Sequence, residues 1–120
     1  MKLCGYALGN KMTIYPEHHA ALIYLTKQEL EQYNYQKGDT EGLVNIPLSI
    51  PGVVYSAFLR EDEEYVKVSM RSTGDFPVNL LCENYFNGGG HKNASGIKDL
   101  KTDEINLLLE DLKNIINVTK

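Results

Sequence analysis

The run Asn87-Gly88-Gly89-Gly90-His91-Lys92-Asn93-Ala94-Ser95-Gly96 restricts the fold of this 120-residue chain more than any other stretch. Three consecutive glycines lose more backbone entropy on folding than any other tripeptide, so a folded domain keeps them only where side chains would be in the way. Two readings follow. In one, the main chain of Gly88, Gly89 and Gly90 comes close to a ligand and leads into a short helix over 91–95. The free N–H groups and dipole of that helix would suit an anion, with His91 donating at the lip. In the other, Gly88 is the C′ residue of a preceding helix and the rest is a flexible turn.

Residues 52–60 (GVVYSAFLR) and 65–71 (YVKVSMR), joined by Glu61-Asp62-Glu63-Glu64, have the pattern of a β-hairpin. In the second strand a period of two sends Val66, Val68 and Met70 to a core face and Lys67, Ser69 and Arg71 to the other. Arg71 can offer a planar fork to two oxygens and Ser69 a hydroxyl, so this second face is compatible with phosphate. A merely solvated face would have the same spacing.

The other segments supply a scaffold. Residues 1–12 are mixed and interrupted by Gly5 and Gly9, so they are expected to be an irregular lead-in. Residues 12–15 and 20–25 are β-rich runs around Pro16-Glu17-His18-His19, expected to form a hairpin or an edge strand followed by an interior strand. His18 and His19 are read as turn residues, because neighbours point in different directions and no third metal ligand lies nearby. Thr26-Lys27-Gln28-Glu29 is a capping box opening a short helix. Asp39 or Thr40 caps a second helix that Pro47 bends or ends, with Glu41 in its first turn; capping accounts for these acids without catalysis. Asp75 and Pro77 open a helix with Leu81, Cys82, Tyr85 and Phe86 on one side. Ile97 belongs to a short strand. Residues 102–104 start a last helix whose Ile105, Leu108, Leu109, Leu112, Ile115 and Ile116 face the sheet while Glu110, Asp111 and Lys113 face water.

The chain has room for one domain over 1–120, and 42% hydrophobic residues suffice for its core. The expected fold is α/β or α+β, a mixed sheet of about five strands with helices packed on it. A formal net charge of −4 argues against a long basic nucleic-acid track and leaves room for one local phosphate pocket. Cys4 and Cys82 lack zinc or disulfide-framework spacing, and the chain has no apolar run of membrane-spanning length and no leader pattern. A soluble protein of the reducing cytoplasm is the expectation.

Gly-Gly-Gly-His-x-x-Ala-Ser-Gly resembles the signature of the DHH-associated C-terminal domain of DHH-family phosphoesterases. Residues 35–42 (YQKGDTEG) and 69–72 (SMRS) occur in the matching order and approximate spacing, so the likeness covers nearly the whole chain. It is most similar to the bacterial branch that degrades very short RNAs and adenosine 3′,5′-bisphosphate, often labelled exopolyphosphatase-related. The resemblance implies a two-domain parent whose N-terminal part holds two divalent metals, usually manganese, through motifs that include Asp-His-His. No such tripeptide is present here. This chain would then be the substrate-binding half. The same resemblance implies that Arg71 and His91 grip a phosphate or its nucleotide, that the Gly88–Gly90 main chain admits it, and that Ser69, Ser72 and Asn93 assist. The implied partners are short RNA or nucleotide phosphates, the metal-binding domain and, as an open matter, a second copy of the chain. Alternatives are a non-hydrolytic nucleic-acid module like that appended to alanyl-tRNA synthetases, an enzyme of cyclic or linear dinucleotides, or a single-strand exonuclease.

Overall fold

The structure is a computed structural model that describes residues 2–15, 19–34, 42–74, 77–85, 88–108 and 110–111. The turn at His18, the 35–41 motif with its Asp39, Thr40 and Glu41 caps, Asp75, Phe86, Leu109 and the apolar positions from Leu112 onward lie outside the described residues. Six strands form one mixed sheet: β1 Met12–Tyr15, β2 Ala20–Leu25, β3 Tyr55–Glu61, β4 Val66–Ser72, β5 Gly88–His91 and β6 Ala94–Leu100, in the order β1-β2-β3-β4-β6-β5. The β2–β3 pair is parallel and every other pair antiparallel. One strand more than expected comes from the glycine run itself, which pairs with 94–97 as a hairpin.

The expected helix over 91–95 is therefore a strand end, a two-residue turn and a strand start. Gly88 is not a helix C′ residue either: helix α3, Val78–Cys82, ends six residues before it. Lys92 and Asn93 make the turn without positive φ, whereas two-residue hairpins usually advertise themselves by Asn-Gly or Asp-Gly.

Residues 2–11 are ordered rather than irregular. Helix α1, Lys2–Tyr6, runs into a π-helical stretch, Ala7–Lys11, and buries Leu3 and Ala7 four residues apart on one side. Helix α2, Lys27–Gln32, has the full capping box: Glu29 N–H donates to Thr26 Oγ1 (3.2 Å) and Thr26 N–H to Glu29 Oε1 (2.9 Å). Pro47 does not end the helix; it lies within a 3₁₀ helix, Leu43–Ser49, that continues past it. Pro77 has extended backbone and serves as the N-cap residue of α3 instead of standing in its first turn. A 3₁₀ turn, Thr102–Glu104, precedes the helical residues 105–108.

Two cores sandwich the sheet. On one face Leu22, Tyr55, Leu59, Val66, Val68, Met70 and Ile97 pack against Val78, Leu81, Cys82 and Tyr85 of the α3 region and against Leu108. On the other, Ile23, Leu25 and Phe58 pack under Leu3, Ala7, Leu30, Leu43 and Val44. The β4 residues Val66, Val68 and Met70 are buried, as their alternation requires. Asp111 does not face water alone; its Oδ2 accepts the Tyr85 hydroxyl at 2.5 Å and ties the C-terminal helix to α3. Among the described residues the second core lies over β1 to β3, and the phosphate-compatible side chains of β4 and β5 emerge beyond it on the same face.

Candidate functional site

Register places the sequence's candidates in two adjacent rows across the open face. Arg71 pairs with Ala94, and Ala94 with His91; Ser69 pairs with Gly96, and Gly96 with Gly89. Paired residues share a face, and rows two residues apart share it too. Arg71 and His91 thus stand on the same side with one strand between them, a backbone separation of about 9.6 Å for two strand spacings. The residue between them is alanine, and the next row offers glycines, so no side chain rises to block the gap.

The glycines have separate reasons. A Cβ on Gly88 would stand 1.9 Å from the Cys82 carbonyl oxygen, so its lack of a side chain serves the close packing of β5 on α3. Gly90 has φ +142° and a Cβ there would lie 2.8 Å from Ala94 O, a need of the tight hairpin. On Gly96 a Cβ would meet Val68 O at 2.6 Å. Gly89, at φ +150°, meets nothing nearer than Glu83 Cγ at 3.8 Å, and it opens onto a surface hollow. Gly88 is explained by packing, and Gly89 and Gly90 by their positive φ; Gly89 alone of the three also has open space in front of it.

Arg71 is half-buried and its Nη1 donates to its own neighbour's carbonyl, Met70 O, at 2.9 Å. It forms no ion pair with a described carboxylate. His91 is exposed; its carbonyl accepts Ser95 Oγ at 2.6 Å, which fixes the backbone without using the ring. Ser72 and Asn93 are placed differently from Ser69. Ser72 belongs to the buried alternation of β4, and its Oγ accepts Asn93 Nδ2 at 2.9 Å, while Ser72 N–H donates to Asn93 O at 3.1 Å. Asn93 Nδ2 also donates to Gly74 O at 3.2 Å. These two residues lock the 92–93 turn against the end of β4 and so set where His91 stands relative to Arg71. The structure brings together Ser69, Arg71, Gly89 and His91, with Ser72 and Asn93 as their brace.

Beside the Ser69–Gly96–Gly89 row lies a hollow of about 310 Å³ lined by Arg60, Lys67, Val68, Ser69, Gly89, Gly96, Ile97 and Lys98. Sequence reasoning did not single out Arg60 or Lys98. A larger hollow of about 430 Å³ lies between α2 and the β3–β4 turn, but Glu31, Glu61, Asp62 and Glu63 line it beside Lys27 and Arg60, so it is a poor seat for an anion.

Among the described residues, no three His, Cys, Asp or Glu side chains come together to hold a metal ion. Cys82 is unsuited to redox or nucleophilic work: burial pushes its thiol up to about 12, and its Sγ lies 3.6 Å from Met70 Sδ.

The DHHA1 domain family matches residues 19–118, which is most of the chain. This chain belongs to the DHHA1 family. A bifunctional oligoribonuclease and PAP phosphatase NrnA of Bacillus subtilis is 31% identical over 115 residues, 96% of this chain and 36% of that protein. A probable protein of the same name from Streptococcus mutans is 29% identical over 98 residues, 81% of this chain and 31% of its own length. The chain thus spans about a third of the curated relatives it matches. Among solved structures, an exopolyphosphatase-related protein from Bacteroides fragilis is 47% identical with a TM-score of 0.84, over 98% of this chain and 34% of that one. A pGpG-specific phosphodiesterase, PggH, from Vibrio cholerae shares the fold at 16% identity, with a TM-score of 0.70 over 99% of this DHHA1 chain and 39% of its own. No described helix is long and apolar enough to cross a membrane.

Proposed function

We propose that this DHHA1 domain is the substrate-holding part of a two-metal phosphoesterase acting on short oligoribonucleotides or adenosine 3′,5′-bisphosphate, and that it holds a phosphate that is not being cleaved. The observation that carries the reading is that Arg71 and His91 flank Ala94 on one face of the sheet, with one strand between them, beside a floor of Gly96 and Gly89. Arg71 supplies the bidentate fork, His91 a second donor from the opposite side, and Ser69 a hydroxyl at the edge. Ser72 and Asn93 position them. The names of the NrnA relatives support this class of substrate.

Two manganese ions, the attacking water and their Asp and His ligands would come from an N-terminal DHH domain of the parent protein, in the cytoplasm. Metal chemistry at the reacting phosphate needs the rest of the substrate fixed in line, and fixing it is the work assigned here. The test has two arms. The 120-residue chain with added manganese should turn over neither short RNA nor adenosine 3′,5′-bisphosphate. In the parent protein, Arg71→Ala and His91→Ala should each remove about 1.5–3 kcal/mol of substrate binding while metal content stays unchanged. Turnover by the chain itself, or wild-type kinetics in both variants, would overturn the proposal.

A further inference from the structure

The hollow beside Ser69 shares Ser69, Gly89 and Gly96 with the site assigned to Arg71 and His91 and extends beyond it, and its chemistry is far from the chain's average. The protein carries 16 acidic against 12 basic residues, whereas the hollow is lined by Arg60, Lys67 and Lys98 and by no acid. Its remaining lining is the Ser69 hydroxyl, Gly89, Gly96 and the edges of Val68 and Ile97. Asp62 lies 3.8 Å from Lys67 with both side chains about half exposed, a pairing that an incoming anion can displace, and Arg60 also borders the hollow lined by Glu31, Glu61, Asp62 and Glu63. Glu83, which reaches toward Gly89, accepts from Asn79 Nδ2 at 3.2 Å.

Position adds a second argument. Lys67 lies two residues beyond Ser69 on β4, and Ser69 two beyond Arg71, so the cations follow the Arg71–His91 row along the strand direction. Ser69, one such step of about 6.8 Å from Arg71, stands at a separation comparable with that of successive phosphates on an extended nucleotide strand; Lys67 is two steps from Arg71, about 13.6 Å, and lines the same hollow as Ser69. The β-bulge between Val66 and Val68 alters the register at this end of β4 and β6, where Lys98 enters the lining.

We infer that this hollow is a second phosphate subsite, which takes the phosphate one nucleotide further from the reacting end than the phosphate held by Arg71 and His91. The inference rests on the reading of that first site. Its consequence is specificity: in the parent protein, where one phosphate sits at the reacting end, a bisphosphate or dinucleotide uses the first site alone and a strand one nucleotide longer uses both, whereas in the isolated chain both phosphates of a dinucleotide are free to occupy the two subsites. The chain by itself then holds two consecutive phosphates of a short strand.

Calorimetric titration of the 120-residue chain with adenosine 5′-monophosphate and with 5′-phosphorylated diadenylate (pApA) tests it. Wild type should bind pApA at least about tenfold more tightly than the monophosphate. The variant K67A/K98A should lose that preference while changing monophosphate affinity by less than about twofold, and R71A should weaken both ligands about tenfold or more. Circular dichroism checks that each variant is folded, and Lys67→Gln with Lys98→Gln serves as a second pair if the alanine variant is not. Equal losses for the two ligands in the lysine variants, or no loss for either, would overturn the second subsite while R71A still tests the first. Unchanged binding in R71A would remove the first site, and the inference with it.

Discussion

Substituting Gly88 by alanine separates the structural from the ligand-facing duties of the glycine run. The new Cβ would stand 1.9 Å from Cys82 O, 2.8 Å from Cys82 C and 3.1 Å from Tyr85 O. Favourable separations between heavy atoms are about 3.5–4.0 Å, so backbone must move by about 1.5 Å, and no flexible side chain can yield instead. Neither partner moves freely. Cys82, Leu81 and Val78 of α3 are in the main core, and β5 is held in register by β6 from Gly88 to His91. Overpacking a core costs about 1–3 kcal/mol, and a backbone-on-backbone clash belongs at the top of that range. At roughly 4 °C per kcal/mol for a domain of this size, Gly88→Ala should melt about 12 °C below wild type. Gly5→Ala is the control: a Cβ there meets nothing within 4 Å in α1, so it should gain about 0.5–1 kcal/mol. Thermal and urea unfolding followed by circular dichroism measures both. A Gly88→Ala protein melting within about 2 °C of wild type would refute the packing argument.

Other expectations follow from the same structure. Burial alone would raise the Glu29 carboxyl, but hydrogen bonds from Thr26, Tyr6 and Lys11 outweigh it and hold the group down to about 2. A lowered folded-state value stabilises the protein above the ordinary value of 4.5 and loses that contribution as pH falls toward 2. The stability gap between wild type and Glu29→Gln, measured by urea unfolding, should therefore narrow across that window, and a gap independent of pH would contradict the assignment. Thr26→Ala, which removes the reciprocal cap, should cost about 1 kcal/mol at neutral pH. Cys82 should resist iodoacetamide in the native protein and react on addition of denaturant; rapid native labelling would contradict its burial. For RNA ligands, a pocket using one or two phosphates should give a log affinity–log salt slope of about −0.7 to −1.4, against about −4 or steeper for a threaded strand.

Much of this was legible in the residues. The alternation Val66, Val68, Met70 against Lys67, Ser69, Arg71 gave both the core face and the exposed face of β4, and Thr26 with Glu29 gave a helix start that the hydrogen bonds reproduce. Local pattern failed where tertiary pairing decides. Gly88 to Gly90 have no side-chain pattern to mark a strand, and the 92–93 turn has none of the residues that announce a hairpin, so β5 became visible only through its pairing with β6. Gly5 and Gly9 lower helix propensity over 2–11, but Leu3 and Ala7 bury against the sheet and the stack of Tyr6 on Tyr33 (centroids 4.8 Å apart) adds to that packing. Arg60 and Lys98 could not be joined to Ser69 from sequence, since their meeting depends on the order of β3, β4 and β6.

The convergence of Arg71 and His91 on one phosphate is tested most directly by titrating the ¹⁵N-labelled chain with adenosine 5′-monophosphate and following amide and arginine side-chain resonances. The account predicts saturable shifts concentrated at Arg71, Ser69, Gly89 and His91, with the Arg71 side-chain signal moving as its bond to Met70 O is exchanged for the ligand. Shifts centred instead on the α2 hollow around Lys27 and Glu31, or a titration that leaves Arg71 and His91 unmoved at saturation, would contradict it.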